Sequence, residues 1–240
     1  MNIIELLKKV PGDKLALAHK NQTINYHQLN EKSRAVASCL KQHGVNHQHS
    51  ALLFIPLSLE LYIIFLALIR IGCTVVLVDP TASKKNMRHA IAQVKPDVFI
   101  AIPKAHLLRL YPEIRAINLK FAIRFKLPAT KYIDLDRLVT PHDSIDFDAP
   151  VTHPALITFT SGSTGVPKGI CRSHGFLIEQ HMAITNNLPI DPADIEFTTL
   201  PVFILSNLAA GITSIIPDLK LKNLANIAPE KVHQQLQQFN

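Results

Sequence analysis

The chain has 240 residues, 48% of them hydrophobic and 18% charged, enough to bury a sizeable core and to exclude wholesale disorder. Its formal net charge is +7, but the cations are dispersed, with only the pairs Lys8-Lys9 and Lys84-Lys85, and no basic stripe interleaved with aromatics points to nucleic acid. Three widely spaced cysteines, Cys39, Cys73 and Cys171, exclude a disulfide scaffold and a zinc ribbon, and Glu5 interrupts the only apolar stretch near the start, so the chain reads as soluble and cytoplasmic.

In chain order, Leu15–Ala18 and Thr23–Tyr26 flank Lys20-Asn21-Gln22 as the arms of a hairpin. Residues His27–His43 read as an amphipathic helix stopped by Gly44. The apolar run 51–80 resembles a membrane span only at first sight. Pro56, Ser58, Glu60, Arg70 and Gly72 divide it into a strand at Ala51–Ile55, a helix at Leu59–Ile69 and a strand at Thr74–Val78. The middle helix is apolar nearly all round, which predicts a buried βαβ crossover.

A helix over Ser83–Val94 and a strand over Asp97–Ile102 follow, then a helix at His106–Tyr111 and weaker strands at Ile117–Phe125 and Tyr132–Leu135. Residues 140–153 carry two prolines and several aspartates and read as a linker. Beyond it come a strand at Ala155–Thr160, a helix at His174–Asn187, strands at Ile195–Leu200 and Thr213–Ile216, and one last helix within Lys220–Asn240. Alternating elements of these lengths predict an α/β fold of layered, mostly parallel sheets flanked by helices.

The chemistry concentrates at residues 160–169, Thr-Ser-Gly-Ser-Thr-Gly-Val-Pro-Lys-Gly, directly after an apolar strand. A glycine-rich turn exposes successive backbone N–H groups as a concave anion site. Thr160, Ser161, Ser163 and Thr164 add hydroxyl donors around Gly162, Gly165 and Gly169, and Lys168 adds a positive charge. This is what a polyphosphate requires. The Walker A pattern fails, because Pro167 and Gly169 stand where it needs Gly and a hydroxyl. The nucleophile-elbow pattern fails too, because Ser163 follows Gly162 directly.

This stretch resembles the phosphate-binding loop of the adenylate-forming superfamily: acyl-CoA ligases, luciferases and peptide-synthetase adenylation domains. Segments 23–45, 51–80 and 171–181 are similar to that superfamily in the same order. Segments 84–106 and 198–219 look most like the fatty-acyl ligase branch that includes olefin-biosynthesis β-lactone synthetases. The resemblance implies the N-terminal part of such an enzyme's large domain. It also implies that ATP, with Mg2+, activates a carboxylic acid to acyl-AMP. The acid would be fatty, and the acyl group would pass to CoA or, in a β-lactone synthetase, to the substrate's own β-hydroxyl. Thr160–Gly165, Lys168 and Gly169 would hold the phosphates, with Thr164 nearest them and Lys168 offsetting charge on the departing pyrophosphate.

One departure stands out. Many members of the superfamily carry an aromatic-His pair where this chain has Phe203-Ile204. Phe203, Ile204 and Asn207 would instead shape an apolar acyl channel, or else simply close a buried strand end. The resemblance ends near Pro217-Asp218. Members of the superfamily run on to an aromatic-x-Thr-Glu motif, a ribose-binding Asp and a catalytic Lys, and no Thr-Glu pair occurs here. The expectation is a partial domain over 1–240 without the magnesium-binding Glu, the C-terminal half or the lid domain. It would be inactive unless a separate chain supplies them, or else a non-catalytic nucleotide- or acyl-binding remnant.

The other constellations are weaker. His43, His47 and His49 have ligand-like spacing but lack a fourth ligand and read as solvated loop residues. His174 either lines the nucleotide site or serves structure. Cys171 has no base beside it. Asp134, Asp136, Asp143, Asp146 and Asp148 lack a calcium-loop pattern and read as linker charges.

Overall fold

The computed structural model describes residues 2–79, 81–141, 145–161, 166–218 and 229–238. A short helix α1 (Ile4–Leu7) leads into a hairpin of β1 (Leu15–His19) and β2 (Gln22–Asn25), turning at Lys20 with φ 55. Helix α2 (Tyr26–Gln42) starts one residue earlier than its pattern suggests. Asn25 caps it: its side chain accepts the Gln28 N–H, and the Gln28 side chain accepts the Asn25 N–H in return.

The βαβ unit is present as β3 (Ser50–Phe54), α3 (Leu59–Arg70) and β4 (Thr74–Leu77), with β3 and β4 parallel. Every residue from Leu61 to Arg70 is buried, because α3 packs against both β1 and β4 and so lies between two sheets. Then come α4 (Lys84–Val94), capped by Ser83, and β5 (Val98–Ala101). The expected helix after β5 is a 3-10 segment, Pro103–Leu110, followed by a single turn α5 (Pro112–Arg115). β6 (Leu119–Ile123) and β7 (Lys131–Ile133) are shorter than their apolar runs.

After residues 140–153, β8 (Pro154–Ser161) and β9 (Pro167–Ser173) form a second hairpin, followed by α6 (His174–Asn187), β10 (Ile195–Phe197), α7 (Pro201–Ala210), β11 (Thr213–Ile216) and α8 (Pro229–Gln237). The strands make a seven-stranded sheet, β7-β6-β5-β3-β4-β8-β9, parallel except for the β9 edge, and a four-stranded sheet, β10-β11-β1-β2.

Period-two burial sorts the larger sheet's side chains onto two faces. Leu52, Val76 and Phe99 join a core under α4 and residues 103–117. Ala51, Leu53, Val75, Ile100 and Phe121 face the main core between the sheets, with α3, Leu177 of α6 and Leu205 and Leu208 of α7.

Two expectations need correction. Residues 203–204 are not a strand end: Pro201 occupies the first turn of α7, where its missing N–H costs nothing, and Gly211 with φ +76 closes the helix. Asp146 is not a solvated linker charge. Its carboxylate accepts two hydrogen bonds from Arg70 Nη1, at 2.9 and 3.1 Å, and the Arg70 side chain is only 2% exposed. Arg70 Nε donates to Ser33 Oγ at 3.0 Å, and Nη2 donates to Asn30. A guanidinium buried at the end of α3 requires such a counter-charge, and the segment 145–148 supplies it.

Candidate functional site

β8 lies beside β4 in parallel register through Leu77↔Thr158, then runs on as a two-stranded ribbon with β9. Three pairs extend beyond β4's last partner: Phe159↔Gly169, Thr160↔Lys168 and Ser161↔Pro167. The tip therefore projects from the carboxyl ends of the parallel strands, where open α/β sheets place their ligands. Gly162, Ser163, Thr164 and Gly165 lie outside the described residues, and only the backbone of Ser161 is described.

Alternation places Leu156, Thr158 and Thr160 of β8, with Lys168, Ile170 and Arg172 of β9, on the face toward α6 and α7. Ile157 and Phe159 face the α4 side. Thr160 and Lys168 are both exposed and directly opposite each other, so the lysine and a hydroxyl stand side by side at the base of the glycine-rich turn. Among the described residues Lys168 makes no ion pair, so its charge is available to an anion. Gly169 is tightly placed for a different reason: a Cβ there would lie 3.2 Å from Phe159 Cε1. Its smallness serves the packing of the two strands.

Sequence reasoning missed Arg172 and Thr158. Arg172 Nη1 donates to Thr158 Oγ1 at 2.6 Å, and the guanidinium lies 6.0 Å from the Phe176 ring. This second cation shares the Lys168 face two steps down the hairpin, beyond Ile170. The alternation of β9 was the available signal, but β9 is an exposed edge strand without an apolar period. Cys171 is exposed on β9; burial pushes its thiol up while Arg172 opposes the shift.

The three residues expected at an acyl channel do not share a surface. Ile204 is wholly enclosed in the inter-sheet core, whereas Phe203 is 38% exposed. Asn207 Nδ2 donates to Ser214 Oγ at 3.0 Å, which ties α7 to β11. Nearby, His181 of α6 and Ser206 of α7 form a buried pair, Nδ1 to Oγ at 3.1 Å, and burial pushes the imidazole pKa down.

The histidine string disperses. His43 Nδ1 contacts Cys39 O at 2.8 Å, His47 stacks on Phe147 with centroids 4.5 Å apart, and His49 Nδ1 accepts the Asn46 N–H at 3.4 Å. Among the described residues no three His, Cys, Asp or Glu side chains converge as a metal site. His174 stands at the opposite end of β9 from the glycine-rich turn. The seven residues of β9 span roughly 20 Å at about 3.3 Å per residue, so His174 does not line the turn. No helix among the described residues is long and apolar enough to cross a membrane.

A family model described as AMP-binding enzyme matches residues 5–220. Olefin beta-lactone synthetase of Xanthomonas campestris pv. campestris is 31% identical over 237 residues, covering 96% of this chain and 42% of that protein. The Stenotrophomonas maltophilia protein of the same name is 29% identical over 226 residues, 93% of this chain and 41% of that one. The chain thus spans about two-fifths of the length of these relatives.

Among solved structures, the anthranilate CoA ligase AuaEII in complex with anthranoyl-AMP superposes with TM-score 0.85 at 17% identity, covering 100% of this chain and 48% of that one. The amide bond synthetase McbA from Marinactinospora thermotolerans gives TM-score 0.80 at 17% identity, over 99% of this chain and 47% of that one. At these identities the two structures establish the fold.

Proposed function

We propose, because the chain belongs to the AMP-binding enzyme family, that it is the N-terminal portion of an enzyme that activates a carboxylic acid with ATP. The observation that carries this reading is the Thr160↔Lys168 pair, exposed at the base of a glycine-rich turn that projects from the sheet's carboxyl edge. In the reaction, a carboxylate oxygen attacks the α-phosphorus of ATP. The bond from that phosphorus to the bridging oxygen breaks, and acyl-AMP and pyrophosphate result.

The chain's part is to grip the β- and γ-phosphates. Backbone N–H groups and hydroxyls of 161–165 would surround them, with Thr164 innermost, and Lys168 would stabilise the charge that accumulates on the leaving pyrophosphate. The described residues do not form a resident magnesium site, and the sequence has no Thr-Glu pair, so no step here is routed through the metal.

A more specific reading is favoured by the 31% identity to an olefin beta-lactone synthetase over nearly the whole chain. The acid would then be a fatty β-hydroxy acid, whose own hydroxyl closes on the activated carbonyl and expels AMP. CoA is the acceptor in the other version. Of the acyl-channel residues, Phe203 has surface to offer such a chain. The enzyme would work in the cytoplasm, and adenine, ribose and metal contacts would come from a C-terminal half, on this chain's continuation or on a partner chain.

The test is Mg-ATP binding to the 240-residue chain by calorimetry, with Lys168→Ala beside it. A charge-assisted phosphate contact is worth roughly 1.5–3 kcal/mol, so the substitution should weaken binding about tenfold or more. Equal affinities would remove the central assignment. Supplying the second half together with a fatty β-hydroxy acid should then give acid-dependent pyrophosphate release. If nucleotide binds and no release follows, the chain is a binding remnant.

A further inference from the structure

The β8–β9 hairpin has two ends. Its closed end is the candidate phosphate site; its open end is pinned by a stack of rings that the proposed chemistry does not use. The last pair of the ribbon is Pro154↔Ser173, so His153 immediately precedes one strand and His174 immediately follows the other. Their rings stack at 5.9 Å with planes 28° apart. The His174 N–H donates to His153 O at 3.0 Å, and the Gly175 N–H to Val151 O at 2.8 Å.

Each ring also anchors a distant segment. His153 Nε2 donates to Gly72 O at 2.7 Å, at the turn between α3 and β4. His174 Nδ1 accepts the Ile3 N–H at 3.4 Å, at the start of α1. That contact fixes the protonation state: Nδ1 must carry a lone pair, so the one proton of the neutral ring sits on Nε2. His174 is fully enclosed, and among the described residues its Nε2 has no hydrogen-bond partner. A second proton would go to Nδ1, abolish the bond to Ile3 and place a cation in the core.

We infer that His153 and His174 are positioning residues for the phosphate turn, forming a clamp at the hairpin's open end that holds only while His174 is neutral. This rests on the assignment of residues 160–169 to phosphates. The hairpin is a lever. Beyond Thr158 its ribbon has, among the described residues, no sheet neighbour on the β4 side and rests on α4 through Phe159 and β9, so the geometry at its base bears on the direction of the tip.

The charges bearing on His174 all oppose protonation. Burial is the largest cause, followed by His153 and the amino terminus, and together they bring its pKa down to about 4. His47, from the loop before β3, stands 6.4 Å from His153. Arg70, at the end of α3, has its charge met by Asp146. A group whose folded pKa lies below its unfolded value near 6.5 favours the closed clamp fully above that value, and the preference fades as pH falls toward 4. At pH 5.5 the closed state should be weakened about tenfold relative to pH 7.5, from the ratio of the two titration terms.

Hydrogen–deuterium exchange of the 240-residue chain at pH 7.5 and 5.5, corrected for intrinsic rates, reads the clamp directly. The substitution His174→Asn keeps an acceptor near Nδ1 but takes no proton. Amides of 155–173 should lose about tenfold protection in the wild type and less than threefold in this variant. His153→Gln, which keeps a donor toward Gly72 O but removes the ring stack, should lower protection of 155–173 at pH 7.5 while leaving most of the His174 pH response, and serves if His174→Asn does not fold.

Mg-ATP affinity measured at both pH values should show the same difference between wild type and variant, with the nucleotide's own titration cancelling. Equal loss of hairpin protection in wild type and His174→Asn, or none in either, overturns the clamp. Expected protection with an affinity ratio that the variant leaves unchanged overturns the positioning role. An affinity indifferent to Lys168→Ala overturns the phosphate assignment and the positioning role together, while the exchange data still decide on the clamp.

Discussion

Replacing Asp146 by Ala should be among the most damaging single changes in the chain, and the reason lies 76 residues away at Arg70. The Arg70 guanidinium is buried and spends its donors on Asp146, Ser33 and Asn30. Among the described residues Asp146 answers its charge at contact distance, although burial itself pushes the arginine pKa down. Without the carboxylate an unpaired cation remains in the core, a situation that costs about 3–5 kcal/mol. Lys8 also reaches Asp146, at 2.9 Å, but its side chain is 42% exposed, so its share is small.

Urea unfolding at pH 7 measures the loss. The decisive comparison is Arg70→Met combined with Asp146→Ala, which removes both charges and should recover much of the stability, because an apolar replacement of a buried pair is often neutral. The pH dependence has a definite sign. Burial raises the Asp146 pKa, but Arg70 and Lys8 hold it below the ordinary value of 3.8. The pair's contribution is therefore complete above that value and is lost as pH falls through the lower folded one. A single-variant loss under about 1 kcal/mol, or a double variant as weak as the single, would refute the reasoning.

Ile204→Asp should unfold the chain rather than alter its choice of acid, since a charge placed in the inter-sheet core costs several kcal/mol; an unchanged thermal melt would show that Ile204 borders open space. Phe203→Ala, at a half-buried position, should change stability by no more than about 1 kcal/mol yet shift chain-length preference in acid-dependent pyrophosphate release by the completed enzyme; an unchanged preference removes Phe203 from the acyl path. Gly72→Ala should lower the thermal midpoint sharply, because the new Cβ would lie 2.4 Å from Phe147 Cδ1 at a residue with φ +73, and a midpoint within a degree or two of wild type would contradict that packing.

The parts of the fold legible in the sequence are those whose burial is set locally. β3, α3 and β4 announced themselves because α3 is apolar on every side, and it is buried on every side. The helix α6 begins and ends where its pattern does, because Ser173 caps its first turn. What was hidden depends on distant partners. β9, Pro-Lys-Gly-Ile-Cys-Arg-Ser, has no apolar alternation because it is an edge strand, defined by pairing with β8 rather than by a face it buries. The role of Asp146 could not be read from a proline-rich segment, since its partner is set by the fold.

At the candidate site, composition and order of Thr160–Gly169 set the expectation of a phosphate loop, and the fold placed its two flanks as a hairpin. The roles of individual residues within it were not. Lys168 and Thr160 became neighbours through cross-strand register, and Arg172 joined their face through alternation. Phe203 and Ile204 diverge because successive residues of a helix point about 100° apart, and Asn207 is turned to Ser214 of β11.

The placement of the glycine-rich turn has its own logic. A loop between two central parallel strands would be held by neighbours on both sides, with little freedom to close on a ligand. Here β4 supports β8 only as far as Thr158, and the last three pairs of the hairpin stand beyond it. An isolated two-stranded ribbon is marginally stable in water. Its order comes from its base, where His153 and His174 fasten it, from α4 against Phe159 and β9, and from whatever binds at its tip. Phosphate binding at 160–169, as proposed, would thus be coupled to the ribbon's pairing, each ligand contact also stabilising pairs such as Thr160↔Lys168. Nucleotide should therefore slow amide exchange in 159–161 and 168–169 more than in 155–158, a gradient that a rigid preformed loop would not show.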